Sequence, residues 1–588
     1  MMGAKNHWHE LLHQVSRDLM SFPGRFAIAW RIGLLCTVMA FVAMLYGIPE
    51  SAISCYLILF VMKPDSAESM VMAFAVTLLI SIVVGLLFIA LPLALEFPLL
   101  RMMLLTITSI FFLWLGSASK LGPVGSIIAL VIAFVMSLLG NAPDGELATR
   151  AVLYAWLMAA SPMLLLIIFT FFLGRSSLKL LCQSLSKRLE SAAQALREPD
   201  TRNLSVIQEQ LLDGQKALQE QVTLIRIFRL CPLKKARWLE AAVYSSYRLL
   251  LATSALAPTL PTAERCLLAN TCEAIAQQII YGAGEKKLVP VGTSELHNTL
   301  RTLVTPAKGD IPVATNSAFF VENAFTSPEH IRFALKATAG SLICYFIYTA
   351  LNWQDIHTAM ITCYVVALST TGETVHKLTL RIIGCLIGAM AGVLSLIYLF
   401  PLMTDIGQLM VMIFLMLTLA AWVSSGNERI AYAGIQIGLA FLLCVLHGSK
   451  PAIDLGVAYD RVIGILLGNL VIYIIFTCVW PVSVATAVRS HIASALASLS
   501  ILAKSDSLPR ATATREAGNV EEALASAHEA LRLAFFEPVF LRPTPGEYEQ
   551  FREQMAAITA LCPILFLPAE VTNSGRQQHI RRLEELTG

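Results

Sequence analysis

The chain has 588 residues, of which 56% are hydrophobic and only 14% charged, with a mean hydropathy of +0.68. An ordinary globular mix carries about a quarter charged residues, so these values exclude a soluble globular protein and define a polytopic membrane protein. A net charge of +3 over this length gives no footing for nucleic-acid binding and matters only through where the charges fall relative to the membrane.

The first apolar run begins near Phe26. Residues 1–27 precede or enter it as a mixed segment with His7, His9, Glu10, His13, Arg17 and Asp18. That order does not suit a cleaved secretory signal and predicts a cytoplasmic N-terminus. Leu11, Leu12, Val15, Leu19 and Met20 fall at helical spacing, which suits either a helix lying on the membrane surface or an entry helix packed within the bundle.

Residues 28–173 divide into six apolar runs, at 28–46, 51–63, 70–92, 98–117, 123–140 and 149–173. A helix needs roughly 20 residues to cross the hydrocarbon core, so each is read as a span, with 51–63 the shortest. Gly47-Ile48-Pro49, Lys63-Pro64-Asp65, Glu96-Phe97-Pro98, Gly122-Pro123 and the 141–145 link punctuate them. Lys63, Lys120 and Arg175 mark one side, and Glu50, Glu96, Asp144 and Glu146 the other. The positive-inside tendency makes the basic side cytoplasmic.

From 174 to 325 the composition shifts to closely spaced Lys and Arg interleaved with leucines, as in LKLLCQSLSKRLESAAQAL, the pattern of amphipathic helices in a cytoplasmic domain. Lys234, Lys235 and Arg237 read as a solvated face or as a contact with anionic lipid. The Gly282 to Lys287 stretch lacks the spacing of a phosphate loop. No other nucleotide motif is present, so neither ATP hydrolysis nor an enzyme activity is expected, and no cofactor or metal is implied.

Six further runs occupy 326–481, at 332–351, 356–370, 378–399, 404–424, 429–447 and 457–480. Arg332, Lys336, Lys377, Arg381 and Arg429 lie at the cytoplasmic ends and Asp355, Asp405 and Asp454 opposite, with Lys450 as the exception. Residues 482–588 return to mixed character and predict a second cytoplasmic helical domain that packs on the first.

The two halves repeat. Arg25-Phe26-Ala27 recurs as Arg332-Phe333-Ala334, Ile53-Ser54-Cys55-Tyr56 as Ile361-Thr362-Cys363-Tyr364, and Ile167-Ile168-Phe169-Thr170 as Ile474-Ile475-Phe476-Thr477, at offsets of 307 or 308. Asp65 falls opposite Glu373 in the same register. An even number of spans per half makes the repeats parallel. The expected fold class is therefore all-α: a polytopic membrane protein of two parallel repeats of six transmembrane helices with cytoplasmic helical domains.

Arg381 heads a ladder of Gly384, Gly388 and Gly392, and Arg461 heads Gly464 and Gly468. Glycines every four residues let another backbone approach closely, so these are helix-packing faces. Each arginine stands near the same face, where it points into the bundle to meet a carboxylate or anionic substrate, or snorkels to lipid phosphate. Asp355, His357, Asp460, Glu373 and Asp65 are candidates for a proton path, since a histidine or a buried carboxylate can change charge near neutral pH. Lys336 and Arg31, inside their spans, join the candidates. The twelve cysteines, seven of them in apolar runs (Cys36, Cys55, Cys344, Cys363, Cys385, Cys444 and Cys478), form no C-x-x-C pair and read as small buried hydrophobes.

The order of six spans, helical domain, six spans and helical tail resembles the fusaric acid resistance and aromatic acid exporter family of bacterial inner-membrane proteins. The stretch 323–367 is similar in particular to the inner-membrane multidrug-resistance subunit of a tripartite efflux system. Arg332-Phe333-Ala334, Cys344-Tyr345, Trp353, Ile356-His357-Thr358 and Asp460-Arg461-x-x-Gly464-Ile465-x-x-Gly468 carry the likeness. The first half matches in layout but lacks the glycine ladder, with Gly85 alone on its third span. The resemblance implies proton-driven export of toxic aromatic carboxylates or related amphipathic compounds, with a periplasmic adaptor and an outer-membrane channel as partners. Membrane lipids, a small anionic or amphipathic substrate and a second copy of the chain complete the expected partners. An organic-anion channel and a membrane scaffold are the alternatives that the residues leave open.

Overall fold

The computed structural model describes residues 18–20, 24–139, 145–257, 260–281, 294–305, 319–321, 323–353, 356–448, 450–451, 455–504 and 509–566. These residues are helical apart from links and a two-stranded hairpin of Leu446–His447 with Lys450–Pro451. The chain divides into two compact units. One is Met1–Pro64, Ser69–Gly174 and Ser317–Val482, the other Asp65–Glu68, Arg175–Asn316 and Ser483–Gly588.

The first unit opens with α1 (Arg25–Tyr46), α2 (Ser51–Val61), α3 (Ser66–Glu96), α4 (Pro98–Ala118), α5 (Pro123–Leu138) and α6 (Gly145–Leu173). Apolar runs of this length form helices because only a helix satisfies its own backbone in hydrocarbon. Among the described residues nine helices are long and apolar enough to cross a membrane, and all but Val484–Ala503 lie in this unit. Polar side chains such as Ser54, Ser109 and Arg25 are buried, while Leu78, Ile82, Leu86 and Ile89 form an exposed stripe on α3. That inversion of the soluble pattern suits a lipid-facing exterior.

After the second unit's central helices the first resumes with α13 (Glu329–Ala350), α14 (Thr358–Val366), α15 (Thr371–Leu394), α16 (Ile406–Ser424), α17 (Glu428–Val445) and α18 (Leu455–Cys478). The spans expected at 51–63 and 356–370 are not complete. Their helices α2 and α14 have 11 and 9 residues, about 16 and 14 Å at 1.5 Å per residue, half of what a crossing needs. Met62 and Ala367, which follow them, leave the helical conformation; Ala367 is buried within protein, whereas Lys63 and Pro64 after α2 are exposed.

Packing pairs the two sets of helices reciprocally. α1 lies on α16 and α13 on α4, while α2 packs on α17 and α14 on α5. A Cβ at Gly33 of α1 would stand 2.2 Å from Thr418 Oγ1 of α16, so that crossing requires glycine. Within each set, Cys36 and Cys55 exchange Sγ contacts with one another's carbonyl oxygens at 3.6 and 3.3 Å, and Cys344 and Cys363 bring their Sγ atoms to 3.6 Å. Both pairs join a first to a second helix. The described cysteines are all free, and Cys478, at the end of α18, is exposed rather than buried.

The second unit contains α7 (Ser177–Arg197), α8 (Thr201–Leu212), α9 (Lys216–Ile227), α10 (Leu233–Leu256), α11 (Thr262–Tyr281), α12 (Glu295–Val304), α19 (Val484–Lys504), α20 (Arg510–Leu533) and α21 (Pro545–Phe566). Leu181, Leu185, Leu189 and Leu196 of α7 share one core with Leu499, Leu524 and Leu561 of the C-terminal helices. α19 has spanning length and composition, yet Val484, Val488, Ala495 and Leu499 are buried in that core. Glu537 caps its start, accepting from the Val484 N–H at 2.6 Å and from Ser483 Oγ at 3.2 Å.

Candidate functional site

A cavity of 380 Å³ lies where the short helices meet their neighbours in the first unit. Tyr56 and Phe60 of α2 line it together with Tyr364 of α14, Ser117 of α4, Ser126 of α5, Phe333 of α13, Lys377 of α15 and Tyr432 of α17. Tyr56 and Tyr364 are the equivalent fourth members of the repeated Ile-Ser/Thr-Cys-Tyr segment, so each half supplies the same side chain to one space. The non-helical residues Ala367 to Ser369 close part of the wall.

Arg381 stands behind this wall, 2% exposed. Its Nη1 donates to Tyr432 Oη at 3.0 Å and its Nη2 to Thr362 Oγ1 at 3.1 Å. Its Nε is buried without a hydrogen-bond partner among the described residues, and no described carboxylate pairs with it. Lys377 sits one turn before it with Nζ 5.1 Å from the Tyr432 ring centroid; it feels the Glu373 carboxylate one turn earlier on the same helix but makes no close ion pair among the described residues. A buried guanidinium without a counter-charge is costly to hold, and arginine's planar fork matches a carboxylate. Two cations and several hydroxyls thus stand beside an aromatic, apolar space.

The glycine ladders set these positions. A Cβ at Gly384 would lie 2.6 Å from the Ala433 carbonyl oxygen, and one at Gly388 would lie 2.4 Å from that of Ile437. Gly392 meets Cys444 in the same way, so the ladder seats α15 on α17 and delivers Arg381 to Tyr432. On α18, Gly464 faces Thr358 and Gly468 faces the Ala359 carbonyl, which seats that helix on α14.

Arg461 belongs to a different cluster. Its Nη1 meets His357 Nε2 at 2.9 Å and its Nη2 meets Glu50 at 3.3 Å. Because arginine only donates, His357 Nε2 accepts here. Phe134 stacks near the imidazole at 5.8 Å between ring centroids. Glu50 holds a left-handed backbone, φ +50°, an uncommon conformation for a residue with a side chain.

The remaining sequence candidates are dispersed. Glu373 forms a capping box with Thr370 at the start of α15, and its carboxylate also accepts from Ser369 Oγ at 2.9 Å. Lys336 is 3% exposed, donates to the Trp480 carbonyl at 3.2 Å and lies over the Phe476 ring. Arg31 stacks on Trp30 at 5.4 Å, and Asp460 is half-buried with no ion pair among the described residues. Asp65 belongs to the second unit, where it accepts from Ser177 Oγ, from Gln221 Nε2 at 2.7 Å and from the Ala67 N–H at 2.8 Å. Asp355 lies outside the described residues. Sequence reasoning did not single out Tyr56, Thr362, Tyr364 or Tyr432, although the repeated segment contained the first three.

A helical, polytopic membrane protein with broken second helices and a cation-lined internal cavity is the class that fold and site define. In sequence, residues 343–476 match the fusaric acid resistance protein-like family. The chain is 25% identical over 504 residues, 81% of this chain and 72% of the relative, to multidrug resistance protein MdtO of Escherichia coli O157:H7. A protein of the same name from Shigella flexneri is 34% identical over 222 residues, 37% of this chain and 32% of the relative. No solved structure matches the chain.

Proposed function

We propose that this chain exports aromatic carboxylic acids or related toxic amphipathic compounds across a bacterial inner membrane. The observation that carries the reading is Arg381: a buried guanidinium whose Nε has no hydrogen-bond partner among the described residues, beside Lys377 and a cavity lined by tyrosines from both halves. A carboxylate there supplies the missing counter-charge while its ring stacks against Tyr56 and Tyr364. Similarity to multidrug resistance proteins supports efflux as the direction.

In this reading the helices of the first unit are two parallel six-helix repeats, and 174–325 and 482–588 are cytoplasmic helical domains, as are both termini. The reciprocal packing of α1 on α16 and α13 on α4 supports the repeat. Proton coupling runs through His357: protonating Nε2 removes the acceptor that Arg461 uses and sets two cations together, so the Arg461–His357–Glu50 cluster has two electrostatically distinct states. A periplasmic adaptor and outer-membrane channel complete the export route.

Uptake of a labelled aromatic acid into inverted vesicles, with and without an imposed proton gradient, tests the reading. Gradient-dependent accumulation that Arg381→Ala abolishes is the expected result. Flux that only follows the anion's own electrochemical gradient would assign a channel instead.

A further inference from the structure

A second cavity, of 390 Å³, lies between α15 and α18 of the first unit, and no charged residue among the described residues lines it. Leu378 and Ile382 form one wall, Leu466 and Leu470 the other. Leu466 and Leu470 are 42% and 56% exposed, so the groove opens on the outer, lipid-facing surface. Asn469, in the middle of α18, lines it while only 3% exposed. Both its Nδ2 and its Oδ1 lack a hydrogen-bond partner among the described residues. The neighbouring Thr379 hydroxyl gives its proton to the Val375 carbonyl at 2.9 Å and so does not donate to the amide. Tyr473 of α18 is the one titratable residue among the described lining residues, and Lys377 of α15 lines the other cavity.

An unpartnered primary carboxamide is costly to bury, and hydrocarbon offers nothing to relieve it. Its donor and acceptor lie side by side. A protonated carboxylic acid satisfies both at once: its C=O accepts from Nδ2–H while its O–H donates to Oδ1. A carboxylate lacks the O–H, and with no cation in the lining its charge would be buried uncompensated. We infer that the groove between α15 and α18 binds the neutral form of an amphipathic carboxylic acid drawn from the bilayer, held by paired hydrogen bonds to Asn469. The apolar walls take its aliphatic or aromatic body. That such an acid is also a transport substrate rests on the exporter reading above; the chemistry of the groove does not. The two cavities then select opposite ionisation states, with the acid bound at Asn469 and its anion at Arg381.

The test uses the purified full chain in nanodiscs of zwitterionic lipid, with labelled decanoic acid and labelled 1-naphthoic acid as probes at pH 5 and pH 8, and empty discs subtracted. Saturable binding of at least one probe at pH 5, weakened about tenfold by Asn469→Leu and about tenfold for its methyl ester, is expected; which probe binds tells a fatty from an aromatic source. Asn469→Gln keeps the carboxamide and should bind more tightly than Asn469→Leu. Thermal unfolding checks the fold, since Asn469→Leu, relieved of its unpaired amide, should be at least as stable as the parent. Equal binding by folded Asn469→Leu and parent overturns the inference, as does equal binding of acid and ester. So does a dimer that Asn469→Leu converts to monomers without any change in binding, which would assign the amide to a second copy of the chain. Binding at Asn469 with no transport of aromatic acid in vesicles would remove the exporter reading and leave this site standing.

Discussion

Arg381 donates from Nη2 to Thr362 Oγ1 at 3.1 Å, and so ties the third helix of the second half to the broken helix that precedes it. Thr362→Val removes the acceptor and keeps the shape. A hydrogen bond to a charged group contributes about 1.5–3 kcal/mol, so uptake at limiting substrate should fall roughly tenfold or more. Arg381→Lys should not rescue Arg381→Ala, because a point charge cannot bond Tyr432 and Thr362 together. Vesicle uptake normalised to folded protein measures both.

The ladder predicts a steep dependence on side-chain size. Gly388→Leu would force a Cβ to 2.4 Å from the Ile437 carbonyl and should lower stability by about 1–3 kcal/mol or more, the cost of overpacking. Gly85 of α3 has open space around its Cβ position, so Gly85→Leu should leave the unfolding temperature in detergent nearly unchanged.

The Glu50–Arg461 pair spans a sequence separation of 411 residues. Glu50→Ala leaves Arg461 buried with His357 as a partner and no carboxylate. Because Glu50 is itself 25% exposed, the expected loss is about 1 kcal/mol, nearer to that of a surface pair than of a fully buried one. Combining Glu50→Arg with Arg461→Glu should recover part of it, and a shifted pH profile of uptake in Glu50→Gln is the expected sign of coupling to His357.

In the second unit, Glu521 of α20 is 1% exposed. Burial pushes its carboxyl up to about 7, opposed in part by a hydrogen bond from Cys562, while Gln208 Nε2 reaches it at 3.4 Å. The folded protein therefore keeps a proton between pH 4.5 and 7 that the unfolded chain has released. Stability falls as pH rises through that window, by roughly 3 kcal/mol, and levels off above it. Protection factors of the α20 amides in the full chain, with the intrinsic rise of exchange with pH divided out, should be lower at pH 8 than at pH 6, and Glu521→Gln should flatten the difference.

Much of the fold could be read from apolar runs. The run at 98–117 became α4, Pro98–Ala118, because hydrocarbon leaves the backbone no alternative to a helix. The runs at 51–63 and 356–370 misled because apolar content does not distinguish a helix that crosses from one that breaks inside a protein-lined space. The glycine spacing carried the close approach of α15 to α17 but not its target. Arg381 and Arg461 share one motif, yet their partners, Tyr432 and Thr362 for one and Glu50 and His357 for the other, are set by which helices meet. Asn469 has no motif at all; only its burial without a partner marks it.

The reciprocal exchange of first helices has a consequence for biogenesis. α1 ends at Tyr46 and the helix it rests on starts at Ile406, so roughly 360 residues must be made before the contact can form. At about 5–20 residues per second, the exposed side of α1 stays in lipid for roughly 20–70 s while its partner is still unsynthesised. Neither half holds all the surfaces it needs, and each, made alone, is expected to be a substrate for membrane proteases, while coexpressed halves should restore one another.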